Sequence, residues 1–473
     1  MTSWDAVVVG AGPNGLAAAV ALALAGRSVK VIEGADTVGG GARTMALTQA
    51  GFRHDVCSAV HPLGLGSPFF RSLPLEDFGL KWIQPEIPFA HPLSPREAVF
   101  VERSVDATAA QLGNADGDEY RRRIQPFVDG WSKLEPQILG PMLRPPKHPL
   151  AMARFGWVGA LPARTLINAF SDEPAKALFA GAAAHGYMPL SHMLTASFGL
   201  LYPVTAHRFG WPFAEGGSQA IVDALAGYLR SLGGEIETGR WVRSLADLPP
   251  AKATFFDVTP EVFIGIAGDA LPASYRKRLG KFRRSPAAFK VDYALDGPIP
   301  WANPRLSLAG TIHLGSSASI VAAEAAIWKG RRPARPFILV AQQSMSDPSR
   351  TPAGKHTLWA YAHVPSGSTE DFTGAIEHEI EHLAPGFRDL VIDRCIAAPA
   401  DLAAYNPNYA AGDITGGAYT VRQVLFRPVP GRSPYATPAK GIYLCSSSTP
   451  PGAGVHGMCG YWAVQAALKK DLA

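Results

Sequence analysis

Asp5-Ala-Val-Val-Val9-Gly10-Ala-Gly12-Pro-Asn-Gly15-Leu16 is the stretch that decides the fold, and Ser28-Val-Lys-Val-Ile32-Glu33 continues it. Asp5 to Val9 is a short valine-rich run and reads as a buried parallel strand. Leu16 to Ala25 is strongly helix-forming and ends at Gly26. Ser28 to Ile32 is a second strand, closed by Glu33. Of the three glycines in the first turn, Gly10 permits a tight bend and Gly12 lets the backbone approach a pyrophosphate. Gly15 lets helix and strand pack closely. The helix N-terminus offers amides and a positive dipole end to phosphate. Glu33 lies 23 residues after Gly10, where a carboxylate can accept hydrogen bonds from ribose hydroxyls. This unit predicts a dinucleotide cradle within an α/β fold.

Working outward, Gly39-Gly40-Gly41-Ala42-Arg43 follows the acid within a few residues. Its Gly40 and Gly41 amides and the forked Arg43 guanidinium suit phosphate oxygens. At the other end of the chain, Gly441 to Cys445 reads as a strand. It leads into Thr449-Pro-Pro-Gly452-Ala-Gly454-Val-His456-Gly457-Met458 and a helix from Ala463 to Leu468. This is again strand, glycine turn, helix. In the middle, Gly216-Gly217 opens a helix from Ser218 to Leu232, and Glu235 to Val242 reads as a strand pair around Gly239. Phe255 to Val258 reads as a further short apolar strand.

One nucleotide-binding style at three separated places predicts a Rossmann-type domain assembled from three segments, with an interleaved α+β substrate domain. The expected boundaries are 1–60, 211–280 and 406–473 for the first domain and 61–210 and 281–405 for the second.

The composition agrees. Hydrophobic residues make up 47% and charged residues 18%, enough to bury a large core and too apolar for disorder. The net charge of +5 is mild and dispersed, with no polybasic block, which argues against nucleic acid. Cys57, Cys395, Cys445 and Cys459 form no Cys-x-x-Cys pair, so reduced thiols in a cytoplasmic protein are the expectation. The apolar run Leu16 to Ala25 is too short to span a bilayer.

Together, Val7 to Leu16, Gly39 to Arg43, Gly51-Phe-Arg-His-Asp55 and Pro451-Gly-Ala-Gly-Val-His-Gly457 resemble the phytoene desaturase/carotenoid isomerase family. That family lies within the wider amine-oxidase-like flavoprotein superfamily, and the similarity is to its phytoene dehydrogenase-like branch. The resemblance implies FAD and redox or isomerisation chemistry at carbon–carbon bonds of isoprenoid, polyene or lipid-like molecules. Hydride transfer between a substrate carbon and flavin N5 is the expected chemistry, and the lack of a second dinucleotide fingerprint beyond Gly216-Gly217 points to oxygen, a quinone or a carrier protein as electron partner. By the same resemblance Val242 lies where backbone passes the adenine, and Gly454, Val455, His456, Gly457 and Met458 lie beside the flavin. His61, in Ser58-Ala-Val-His-Pro62, falls in the segment that runs past the ring, as a site residue or as a structural histidine before a turn proline. Lys290 sits mid-strand in Phe289-Lys-Val-Asp292, facing either the catalytic cavity or solvent. Carotenoid desaturases have Pro-Gly-Ala-Gly-Ile-Pro-Gly where this chain has Val455-His456, a departure that sets a carotenoid substrate in question.

Three other classes stay open: a flavin amine oxidase, a redox-neutral alkene isomerase, and a flavin-bearing interaction protein with little catalysis. Gly216-Gly217 lacks the spacing of a second dinucleotide fingerprint, so direct use of NAD(P)H is not expected. His378-Glu-Ile-Glu-His382 spells a zinc-protease pattern, but its histidines lie off the apolar stripe of Ile376, Ile380 and Leu383, and no metal is expected. Residues 136–171 carry no acidic side chain and mix Arg144, Lys147, Arg154 and Arg164 with aromatic and aliphatic residues. That segment fits either a peripheral membrane contact or the roof of an apolar cavity.

Overall fold

The computed structural model describes residues 3–431 and 433–473. Strand Trp4–Val9 lies at the centre of a five-stranded, wholly parallel sheet. Across the sheet the order is Ile442–Leu444, Ala251–Phe256, Trp4–Val9, Val29–Ile32, Glu235–Glu237. The strands therefore come from the start, middle and end of the chain. Helices Pro13–Leu24, Gln219–Ser231 and Met458–Leu468 cover one face. Helix Pro260–Ala267 packs against the other. Such two-sided burial explains why Val7, Val8, Phe255 and Phe256 are consecutive apolar residues rather than alternating ones.

Sequence reading placed a strand pair over Glu235 to Val242, but only Glu235–Glu237 is a strand. Gly239 takes a left-handed φ of 71°, and the chain turns away so that Val242 belongs to a loop. The strand expected at Phe255 to Val258 is Ala251–Phe256.

A second, seven-stranded mixed sheet runs Val391–Ala397, Ala287–Leu295, His356–Val364, Ile338–Ala341, Ala309–Leu314, Ile87–Pro92, Ala98–Val101. Its two faces differ because side chains alternate along each strand. Phe289, Val291, Leu358, Ala360, Ile338 and Val340 point to one side and form an apolar core under helix Thr373–Leu383. Lys290, Trp359, Tyr361, Thr311 and His313 are offset by one residue and share the opposite face. Helices Glu173–Ala184 and Thr195–Phe209 pack over that face. Between them and the first sheet lies one large cavity.

Candidate active site

The cavity has a volume of about 570 Å³ and runs from the first sheet to the second. At its first end, the carboxyl ends of four parallel strands converge. Val9 leads to Gly10, Ile32 to Glu33, Phe256 to Asp257, and Leu444 through Cys445 to Ser446, and all four of these turn residues border the cavity. Ligands bind at this edge in open parallel sheets.

The glycines are there because nothing larger fits. A Cβ on Gly15 would lie 2.1 Å from the Gly10 carbonyl oxygen, one on Gly12 2.8 Å from Asp257 Oδ2, and one on Gly41 2.1 Å from Tyr409 Oη. Gly10 also has φ +99°, which a residue with a side chain rarely adopts. Bare backbone therefore faces the cavity at the start of helix Pro13–Leu24, whose first turn carries no acid. Glu33 borders the cavity at this end. Its Oε2 accepts from Ala11 N–H at 2.6 Å, and its Oε1 accepts from Ala35 N–H at 3.0 Å and Arg43 Nη2 at 3.2 Å. Arg43 spends the rest of its fork on Thr37 and Tyr405, so its hydrogen bonds hold Glu33 and the glycine loop while its charge stays beside the cavity.

Asp257 was not singled out from the sequence. Its Oδ2 accepts from Gly15 N–H at 2.8 Å, and burial, with the nearby Glu33 carboxylate, pushes its carboxyl up to about 7. An acid closing an apolar parallel strand level with the glycine turn was the available signal.

Val242 borders the cavity beside Trp241. Gly454, Val455 and His456 form part of the wall. His456 Nδ1 accepts from Met458 N–H at 3.0 Å and so caps the last helix; burial lowers its pKa to about 4, leaving the ring neutral. Gly457 and Met458 sit behind that wall, where a Cβ on Gly457 would meet Phe70 at 2.5 Å and Met458 joins the core. Cys459 Sγ points at the Thr449 and Gly452 carbonyls, and burial pushes its thiol up to about 12.

His61 borders the cavity. Ser218 Oγ donates to the Ser58 carbonyl at 2.6 Å, so the 2.8 Å bond between His61 Nε2 and Ser218 Oγ requires the proton on Nε2. Burial lowers the ring's pKa to about 4, which makes it a fixed neutral group. Lys290 is not at the surface: it is 3% exposed. It pairs with Asp292, whose carboxyl burial raises to about 6, and it borders a small void next to the cavity with Cys57, Trp359 and Tyr361. His61 and Lys290 thus occupy different walls.

The second end of the cavity is apolar and aromatic. Met142, Met152, Phe155, Phe198 and Leu201 line it, with His185, Tyr187, Tyr202, Trp359 and Tyr361. The aromatic set was also missed from the sequence. Its signal is the alternation Trp359-Ala-Tyr361-Ala-His363, which puts three rings on one strand face.

The chain belongs to the flavin-containing amine oxidoreductase family, whose pattern it matches over residues 146–459, more than half its length. Residues 8–71 match an NAD(P)-binding Rossmann-like domain. Over its full length the chain is similar to the rat protein called pyridine nucleotide-disulfide oxidoreductase domain-containing protein 2, at 26% identity over 97% of this chain and 92% of that one. It is 27% identical to a phytoene dehydrogenase of Streptomyces griseus, over 95% and 92%. The fold is shared with an oxidoreductase of Methanosarcina mazei, at a TM-score of 0.68 and 18% identity over 98% and 100% of the two chains. It is also shared with a putrescine oxidase in complex with putrescine, at 0.64 and 18% over 100% and 99%. The protein is thus a flavin-dependent oxidoreductase with FAD as cofactor, and the glycine cradle, Glu33 and the C-terminal wall fit that group.

Proposed function

We propose that this oxidoreductase acts on a carbon–carbon bond of a hydrophobic substrate of isoprenoid, polyene or lipid-like character. When bound, FAD supplies a hydride acceptor or donor at flavin N5. The chain's own part is to hold, orient and dry the reactants. The observation that carries this reading is the chemistry of the second cavity end. Among the described residues that border the cavity, the only carboxylates are Glu33 and Asp257, and both lie at the glycine turn. A protonated amine has no counter-charge where the sulfur, aliphatic and aromatic side chains gather. A long apolar molecule is at home there.

An amine oxidase remains the second reading, favoured by the family and by the putrescine oxidase likeness. Redox-neutral alkene isomerisation would use the same apolar end. His61 and Lys290 stand in this proposal as site residues: His61 as a neutral wall group beside the cofactor, Lys290 as a cation held by Asp292 behind Trp359.

Direct reduction by NAD(P)H is not part of the proposal. The second glycine-led helix, Gln219–Ser231, has its leading amides occupied. Ser218 N–H donates to Asp55 at 2.8 Å, Gln219 N–H to Thr44 at 3.1 Å and Gly216 N–H to Asp347 at 2.8 Å. No amides remain there to receive a second dinucleotide's phosphates. Oxygen or a quinone is the proposed electron partner.

Substrate entry from a membrane surface is supported by helix Pro149–Gly159. Met152, Phe155, Gly156 and Gly159 face the cavity, while Leu150 and Trp157 are 87% and 83% exposed beside Lys147 and Arg154. No described helix is long and apolar enough to cross a membrane.

Mass spectrometry of small molecules extracted from the purified holoenzyme tests the proposal. Nitrogen-free apolar molecules are expected; a stoichiometric amine would overturn it.

A further inference from the structure

Resting on the reading that the second cavity end holds an apolar substrate, the polar atoms in its wall say something more about that substrate. Two of them are buried hydrogen-bond donors that the protein leaves poorly served. Trp359 Nε1 makes no hydrogen bond within the protein, and Tyr187 Oη has no partner in good geometry, only the Tyr361 phenol beside it; their residues are 8% and 3% exposed and both border the cavity. An indole N–H can only donate, and a buried phenol stays protonated and donates as well. Leaving a buried donor unpaired is unfavourable, because it has given up its water without a replacement partner.

The tyrosine is held deliberately. Tyr187 has φ 51°, one of three non-glycine residues with positive φ among the described residues. Its ring stacks on His363 at 3.7 Å between centroids. His363 is fixed in turn by Glu324, whose Oε1 lies 2.7 Å from its Nδ1; both residues are fully buried. A strained backbone and a buried Glu–His pair are expensive supports for one ring, and such strain collects where a side chain must be aimed. Tyr361, on the neighbouring wall, brings a second phenol beside Tyr187.

The wall thus presents donors. It presents no carboxylate for a cation, and the lysine on this sheet face is already paired with Asp292 and so is not free for an anion. We infer that the substrate carries an uncharged carbonyl oxygen, and that Tyr187 and Trp359 receive it. The substrate class is an apolar ketone, aldehyde or ester rather than a bare hydrocarbon or an amine. His363 and Glu324 are positioning residues that act through Tyr187.

The test uses FAD-loaded full-length protein and three probes of equal chain length: a long-chain methyl ketone, the corresponding alkane and the corresponding primary amine. Binding is read from the perturbation of the flavin's visible absorbance. The ketone is expected to bind at least about tenfold more tightly than the alkane, the scale of one buried hydrogen bond. Tyr187→Phe keeps the ring stack and removes the donor; it should weaken the ketone about tenfold and leave the alkane unchanged. Trp359→Phe is the second variant and should act in the same direction. A loss of packing alone would weaken ketone and alkane together, so the ratio of the two affinities separates the roles. Equal binding of ketone and alkane by the wild type overturns the carbonyl inference and leaves the apolar-substrate reading standing. Preference for the amine, or no perturbation by any probe while the flavin stays bound, overturns both.

Discussion

Asp257 places an ionisable carboxyl against the glycine turn, the proposed seat of the cofactor's diphosphate. Its pKa is raised from the usual carboxylate range to about 7, chiefly by burial. The folded state therefore binds a proton that the unfolded chain releases near pH 4. The stabilisation is complete below the unfolded value and is lost as pH rises through about 7. The thermal midpoint of the apoprotein is expected to fall between about pH 5 and about pH 8, and Asp257→Asn should flatten that slope. FAD should also bind more weakly at about pH 8 than at about pH 6, because ionised Asp257 repels the diphosphate; the variant should lose this dependence. A Kd unchanged across that range would show that the carboxyl does not sense the cofactor. Gly12 gives a second residue-scale outcome. Gly12→Val brings side-chain carbon to within 2.8 Å of Asp257 Oδ2 and into the space that backbone alone leaves open, so the purified variant should be colourless. Retention of flavin by that variant would move the diphosphate elsewhere.

At the scale of elements, helix Pro149–Gly159 has two distinct faces. The inner one roofs the cavity, and the outer one carries Leu150 and Trp157 beside Arg154. Full burial of a large apolar side chain is worth about 1.5–3 kcal/mol, and a basic residue at an anionic surface about 1 kcal/mol. Wild-type protein is expected to float with anionic liposomes at low salt, less so at high salt. Replacing both Leu150 and Trp157 by Gln should cut co-flotation by about 100-fold, and Arg154→Glu with Arg164→Glu should weaken it further. Absence of flotation at any salt would leave the helix as a cavity roof alone. The elements also show what a single sequence reveals. Gly10, Gly12, Gly15 and Glu33 were legible because their spacing follows from backbone geometry within one strand–turn–helix unit. Gly454 to His456 were legible by resemblance. The second half of Glu235 to Val242 was misread because Gly239 ends the strand in a left-handed turn. Tyr187, Trp359, Tyr361 and Glu324 were invisible. They come from a turn, one strand and a helix far apart in the chain, and become neighbours only when the second sheet is assembled.

For the whole molecule, a buried ionic cluster joins the cofactor segments to the second sheet's connections. Arg350 lies 3.0 Å from Asp55 and 2.8 Å from Asp347, and all three are essentially unexposed. Burial alone would raise Asp55, but Arg350, Ser218 N–H and the Thr44 hydroxyl hold it below the usual carboxylate range. Arg350→Met strands two carboxylates and is expected to cost about 3–5 kcal/mol in equilibrium unfolding. A loss below 1 kcal/mol, near the value of an exposed pair, would mean the cluster is not a structural tie. The most direct measurement is anaerobic mixing of the FAD-loaded protein, followed by the flavin's visible absorbance. Four reactants are compared: a saturated and an unsaturated long apolar carbonyl compound, a primary amine, and NADPH. The expected result is that the saturated member bleaches oxidised flavin, or the unsaturated member restores the colour of reduced flavin, while the amine and NADPH leave the spectrum unchanged. Rapid bleaching by the amine or by NADPH, with no response to either apolar compound, would contradict the proposed function.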